Sequence, residues 1–568
     1  MHDGWIVIAA LLVFLMQAGF LLVEAGTVRV KNSVNVAQKN VSDMILGIIC
    51  YSLVGFSLMY GVSYAGFFGM GGIKSTLQDQ TRWTELLIFN LAFCSVVATI
   101  VSGAVAERMR IEAYLISTAA IALLIYPVFG HWVWGNTIIT SNQAFLANMG
   151  FVDHAGGVVI HVLAAFYALT AVLVLGPRQG RFDAAGNALP ISGQSPVLAM
   201  TGVLILFVTW IPFNTGALEL GSQQFSDVAL ITVLGGCAGG LAGKIIGYRL
   251  ENKTFLPEYS MNGILGGLVA ITCGTLFIGP LGAVALGFLG GATAIYGNHI
   301  LLHKFKIDDP VGVIGVHGIA GVVGALAFPL FAVNPLPAGN AISQIAIQGF
   351  GVLLCIAWAT GFGFIIFAGL KTLNTLRVSD AEEHLGLDIG VHIPNVSKAD
   401  LEAGHEAAKK ASELAPQNKA YSATHSAGSE IGLALSAMSE ENKRLSEEAV
   451  KRSGMFTEAV ESLTDGVMIY DENQVIIEVN SAYKRIMESA KVMCDVGMTR
   501  TEYIQAAMDV GLVSTDNVTA EQYVKEQLEN PNSDAALQSK FSVADNHYIR
   551  RTRTTPTGGH IVLSLIHI

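Results

Sequence analysis

Charge is scarce in this chain, at 14% of 568 residues, and cysteine is scarcer, with six copies and no C-x-x-C pair. So low a charged fraction excludes a wholly soluble globular protein, since such chains carry about a quarter charged residues. Five cysteines (Cys50, Cys94, Cys237, Cys273, Cys355) lie inside apolar runs and Cys494 lies in a polar region. That spacing excludes a zinc ribbon or disulfide scaffold and reads as small apolar packing. No basic cluster interleaved with aromatics occurs, so nucleic acid is not an expected partner, and the net charge of −11 has little bearing on that. Without a nucleophile–base set or a metal cluster the chain reads as a non-enzyme that needs no cofactor. The first apolar run lacks a basic flank and an A-x-A-like site, which argues for a retained helix and against a signal peptide.

What is abundant is apolar sequence, 52% of residues, with a mean hydropathy of +0.52. Runs of about 20 apolar residues are needed to cross a bilayer. Eleven occur, near 4–25, 43–68, 85–105, 112–133, 155–175, 195–217, 225–248, 259–279, 281–302, 311–332 and 341–370. Lys and Arg gather in alternate loops: Arg29, Lys31 and Lys39, then Arg108 and Arg110, then Arg178 and Arg181, then Arg249 and Lys253, then Lys304 and Lys306. The opposite loops offer only Lys74 and Arg82. By the positive-inside rule the N-terminus is outside and the polar C-terminal part is cytoplasmic, and the membrane is expected to be the cell inner (plasma) membrane. Glycine-rich stretches such as "GGCAGGLAGKIIG" allow close helix contacts, which predicts a compact bundle.

Two histidines interrupt apolar runs. Asp153 precedes His161 by eight residues in "DHAGGVVIH", and Asp309 precedes His317 by eight in "DPVGVIGVH". The echo predicts an inverted 5+5 repeat with the histidines near the midplane, where transporters of that design hold their solute. A single membrane histidine is often a bonded packing residue, but two at matching positions point to a pore-lining pair. Haem ligation would use two histidines but leaves the repeat unexplained.

The segments "AGFLLVEAGTVRVKNSVNVAQKN", "FNLAFCSVVATIVSGAVAERMR", "HWVWGN", "VDHAGGVVIH", "WIPFNTGA", "DDPVGVIGVHG" and "LRVSDAEEHLGLDIGVH" occur in that order. Together they make residues 1–395 resemble the ammonium transporters (the Amt/Mep/Rh group). The resemblance implies a mainly α polytopic fold of eleven helices, a homotrimer, and one ammonium or ammonia path per protomer. It implies that Phe93, Trp134, Asp153 and the position of Ala217 belong to an outer recruitment site, and that Phe89, Phe93 and Phe213 form a gate. It further implies that His161 and His317 are the twin pore histidines, with Trp210 and Thr272 bordering the path. An aromatic face attracts a compact cation by about 0.5–2 kcal/mol, and a neutral imidazole can both donate and accept. Ala217 stands where the family usually has serine, and one hydrogen bond lost to a charged solute is worth about 1.5–3 kcal/mol. Gly312 stands where many members have aspartate, which predicts an altered cytoplasmic end of the path.

The chain continues well past the "LGLD" tail. Residues 396–455 read as a polar linker and signalling helix, and 456–568 as an α+β unit. The stretch "LTDGVMIYDENQVIIEVNSAYKRIM" within it resembles a PAS sensory domain. No output signature follows, so the expectation is a fragment, or a chain acting through a separate signalling module or a PII-type signal protein. The functional expectation is an ammonium sensor/transducer; the alternative is a conducting ammonium transporter that the PAS-like unit regulates.

Overall fold

The computed structural model describes residues 2–71, 83–388, 458, 460–463, 465–512, 519–529, 538–543, 546–554 and 560–567. Ten helices among them are long and apolar enough to cross a bilayer. They are α1 (Gly4–Thr27), α2 (Val30–Tyr60), α3 (Trp83–Val105), α4 (Ile111–Trp134), α5 (Gly157–Leu175), α6 (Pro196–Thr215), α7 (Gln223–Leu250), α9 (Pro280–His303), α10 (Ile314–Phe331) and α11 (Ala341–Thr372). The chain is therefore a mainly helical polytopic membrane protein. It divides into two units, Met1–Lys419 and Ala420–Ile568.

The expected run at 259–279 is instead a 16-residue helix, α8 (Pro257–Thr272). At 1.5 Å per residue it is about 24 Å long, less than a hydrocarbon core of about 30 Å. Residues 273–277 leave the helix for turns, and Ile278 pairs with Ala332 in an isolated bridge.

The second expected run, 43–68, is also corrected at both ends. Helix α2 begins earlier, at Val30, and after Tyr60 the chain forms a small hairpin of β1 (Val62–Tyr64) and β2 (Phe68–Met70). Lys39, expected in a basic loop, is thus a helical residue with 0% exposure that donates to the Met109 carbonyl at 2.6 Å. A donor that finds a backbone carbonyl is tolerated inside a helix bundle, and hydropathy cannot show this. Lys74 and Arg82 lie outside the described residues, as does the linker at 396–455.

Helices α7, α8 and α9 meet along a glycine seam. A Cβ on Gly239 would stand 2.3 Å from the Gly263 carbonyl oxygen, one on Gly243 2.1 Å from the Tyr259 oxygen, and one on Gly291 2.4 Å from the Gly239 oxygen. Backbone thus touches backbone, and no side chain can yield. Gly239→Leu is expected to destabilise the unit by about 3 kcal/mol or more, because overpacking here must separate two helices. SDS-titrated unfolding in mixed micelles would read the shift.

After α11, residues 375–388 fold back with a short capped helix, α12 (Asp380–Leu385), whose Ser379 and Glu382 make a reciprocal capping box. The second unit carries an antiparallel five-stranded sheet. Its strands are β3 (Gly466–Tyr470), β4 (Ile476–Val479), β5 (Gln538–Val543), β6 (Asn546–Thr554) and β7 (His560–His567), in spatial order β4-β3-β7-β6-β5. Between β4 and β5 come α13 (Ser481–Ser489), α14 (Arg500–Asp509) and α15 (Ala520–Glu529). The segments "GVMIY" and "IIEV" pair as strands β3 and β4, helix α13 follows, and β6 pairs with β7, an α+β arrangement as expected for this part of the chain. Asn480 organises the junction: its Oδ1 accepts from Val467 N at 2.8 Å and Tyr483 N at 3.0 Å, and its Nδ2 donates to the Asp465 carbonyl at 2.9 Å.

Candidate functional site

The site grows from two aspartates that cap two interrupted helices. The Asp153 carboxylate accepts from the main-chain N–H of Gly156 (3.1 Å), Val158 (2.8 Å) and Val159 (2.7 Å). Asp309 accepts from Gly312 (3.0 Å) and Ile314 (2.7 Å) in the same i+3, i+5 pattern. Both i+3 residues are glycines in the left-handed region, Gly156 at φ 93° and Gly312 at φ 83°. A side chain at Gly312 would also strike Asn298, 2.5 Å away, so glycine there follows from the turn as much as from the path. Burial pushes the Asp153 carboxyl up to about 6, against the opposing pull of its amide donors.

Each cap is followed by a π turn, Gly157–Val162 and Ile314–Ile319, that carries the histidine. Such turns rotate a side chain off the regular helical face and are frequent at functional sites. Here they bring His161 and His317 together, Nδ1 to Nδ1 at 3.1 Å with ring planes 14° apart. The contact requires one ring to donate and the other to accept. The Nε2 of His161 is buried without a partner and can donate or accept according to the tautomer.

Above the pair the aromatic residues form a column. Trp210 stacks on His161 at 5.0 Å and donates from Nε1 to Thr272 Oγ1 at 2.9 Å. Phe213 lies 5.7 Å from His161, Phe93 4.5 Å from Phe213, and Phe89 4.4 Å from Phe93. Trp134 follows at 6.3 Å from Phe93, and its Nε1 donates to the Asp153 carbonyl at 2.8 Å. Asp153 thus anchors both the α5 turn and the outermost aromatic. Ala217 is exposed just beyond the end of α6. The arrangement offers a cation an aromatic face, then a ring-blocked constriction, then a dry imidazole pair. An ion would lose its hydration at that constriction, whereas a neutral amine would lose much less.

Two groups of buried charged residues escaped the sequence reading. Glu24, only 2% exposed, lines a small cavity next to His317. The sole signal was a carboxylate inside an apolar run. At the end of the bundle that carries the basic loops, Asp308 and Glu107 hold a buried ion cluster. Arg178 grips Asp308 with Nε at 2.8 Å and Nη2 at 2.9 Å and reaches Glu107 at 3.0 Å, while Arg181 and Arg29 add further pairs. The tail 375–388 is tied to the same end. Arg377 donates to the Leu175 carbonyl at 2.8 Å and pairs with Glu383 at 2.7 Å, Leu387 N donates to Asn32 at 2.9 Å, and Asp388 accepts from Asn35 N at 2.8 Å.

Comparison with known proteins bears on this arrangement. The Ammonium Transporter Family matches residues 4–395. A putative ammonium transporter of Synechocystis is 39% identical over 409 residues, 69% of this chain and 88% of the relative. Ammonium transporter Amt2 of Archaeoglobus fulgidus is 37% identical over 407 residues, 68% of this chain and 86% of the relative. A solved structure named Sensor Amt Protein superposes with a TM-score of 0.67 at 33% identity, over 69% of this chain and 98% of that chain. Mep2 of Candida albicans shares the fold at a TM-score of 0.60 and 22% identity, over 67% of this chain and 87% of that chain. With paired histidines under an aromatic column and a family match that spans the whole helical bundle, the chain belongs to the ammonium transporter family.

Proposed function

We propose that the chain is an ammonium sensor and transducer. Ammonium is recruited at Phe93, Trp134 and Asp153, admitted past the gate of Phe89, Phe93 and Phe213, and read at His161 and His317 between Trp210 and Thr272. The observation that carries the reading is the 3.1 Å histidine contact directly beneath the Phe93–Phe213 pair. Ala217 supplies no hydroxyl to the outer site, which favours slow passage.

Relay runs through the tail. Residues 375–388 bond to the end of α5 and to the α1–α2 connection, so a shift of the histidine-bearing helices changes what the tail can hold. Beyond it the linker 396–455 leads to a PAS-like unit, 456–568, whose antiparallel sheet with intervening helices supports that assignment. The membrane domain is 1–395, with the shorter α8 as the eleventh membrane helix of an inverted 5+5 repeat, supported by the matching caps of α5 and α10. The assembly is a homotrimer in the inner membrane, N-terminus outside and C-terminus cytoplasmic. Its partners are ammonium or ammonia, lipid, and a downstream module or PII-type protein. The likeness to a solved Sensor Amt Protein supports sensing over bulk transport.

The second reading, a conducting transporter regulated by its C-terminal unit, draws on the retention of both histidines. Current recorded from the purified protein on a supported membrane after an ammonium pulse separates the two. A brief binding transient with saturable ammonium binding is expected of a sensor; sustained current would establish conduction and make the C-terminal unit its regulator.

A further inference from the structure

The Glu24 carboxylate is the least explained charge in the membrane unit. It is 2% exposed, and among the described residues it has no salt-bridge partner. One carboxylate oxygen, Oε2, is buried with no hydrogen-bond partner. Asn40 and Ser102 stand beside the carboxyl group, and Asn40 Oδ1 is a second buried acceptor left without a donor. The nearby buried cation, Lys39, is committed to the Met109 carbonyl at 2.6 Å. The other buried carboxylate of this layer, Asp43, is fully engaged, accepting from Tyr114 and from Thr99 Oγ1 at 3.1 Å.

Glu24 borders a small cavity next to His317, together with Phe20, Thr99, Ile100 and Asn262. Phe20 and Glu24 are four residues apart on α1 and so share its face, and Phe20 packs 6.4 Å from the His317 ring. The cavity therefore starts at the inner histidine and carries an unpaired acid in an otherwise largely apolar wall. A buried carboxyl group with one acceptor oxygen left unpartnered is a poor packing residue but a good ligand for a compact cation with N–H donors.

We infer that Glu24 forms a cation-binding site on the far side of His317, where an ammonium ion rests against the carboxylate. The inference rests on the pore reading above and adds to it a charged station beyond the histidines. The Phe20 ring closes the side toward His317.

Crystals of the full chain grown in thallium(I) acetate test this, since thallium(I) is close to ammonium in size and scatters anomalously. An anomalous peak is expected beside Glu24 in the native protein. In Glu24→Gln its occupancy should fall about tenfold or more at the same concentration, the effect of losing a hydrogen-bonded charge partner. Glu24→Asp, which keeps the charge, should retain the peak with a displaced centre. An empty cavity in the native crystals while thallium fills the Phe93–Trp134 site would overturn the inference and leave the pore reading standing. Thallium at neither site would overturn both. Equal occupancy in native and Glu24→Gln crystals would assign the cavity to a cation but remove Glu24 as its ligand, which also overturns the proposal.

Discussion

The His161→Ala, His317→Ala double variant is expected to lose its ammonium response by at least about two orders of magnitude. The pair lies in a dry constriction, with His161 at 0% and His317 at 3% exposure. A solute that leaves water there has only imidazole nitrogens to bond, and each hydrogen bond lost to a charged or strongly polar solute is worth about 1.5–3 kcal/mol. Two such losses correspond to more than a hundredfold. The measurement is the ammonium-evoked signal on a supported membrane, transient or sustained, beside an SDS-unfolding curve. The aromatic column above the pair is untouched by the substitutions, so weak recruitment of ammonium at Phe93 and Trp134 should persist. A double variant that responds like the native protein would remove the histidines from the path altogether.

Asp308→Ala should cost about 3–5 kcal/mol of stability, the usual penalty for breaking a buried ion pair from one side. The aspartate takes a bidentate grip from Arg178 and also accepts from the Arg178 main-chain N–H at 2.9 Å. Its removal strands a guanidinium that is 4% exposed. Burial alone would raise the Asp308 carboxyl, but the hydrogen bonds and charge of Arg178, with Arg108, hold it well below the usual carboxylate range. A carboxyl with a depressed folded value contributes stability that is complete above its unfolded value of about 4 and is lost as pH falls further. Native protein should therefore weaken steeply in acid below about pH 4, and Asp308→Ala should show a shallower dependence on that side. Identical acid limbs for the two proteins would mean that the cluster does not govern stability. Because Arg178 also reaches Glu107, and the tail bonds to the loop beginning at Gly176, the same variant should loosen residues 375–388, readable as faster amide exchange there.

Much of this was legible in the chain because local patterns suffice for it. Apolar run length located ten of the crossings, since a bilayer core sets a minimum apolar length for a helix that spans it. The eight-residue interval from Asp153 to His161, repeated from Asp309 to His317, announced two equivalent turns, because a capping carboxylate and the residue two helical turns later keep a set relation along one backbone. The GVMIY and IIEV strands were equally readable from their apolar content around a polar turn.

Other features depend on partners far apart in sequence, and there the local signal either vanished or misled. Lys39 looked like a loop charge because charge in sequence says nothing of the carbonyl that satisfies it, here at Met109. The run at 259–279 looked like a full crossing because hydropathy counts Phe277 and Ile278 equally whether they extend a helix or turn away from it. Asp308 and Asp309 are neighbours with opposite duties, one ion-paired to Arg178 and one capping α10, and no property of "DD" distinguishes them.

The sequence by itself determined that the protein crosses a membrane many times, that two buried histidines sit at equivalent places, and that an α+β unit follows. Only the tertiary structure decided that those histidines touch, across 156 residues of chain, that glycines of α7, α8 and α9 press backbone on backbone, and that Glu24 faces a cavity without a counter-ion. The reason is physical: hydropathy and capping act within a few residues along one helix, whereas desolvation, ion pairing and close packing are properties of whichever groups the folded bundle brings within a few ångströms.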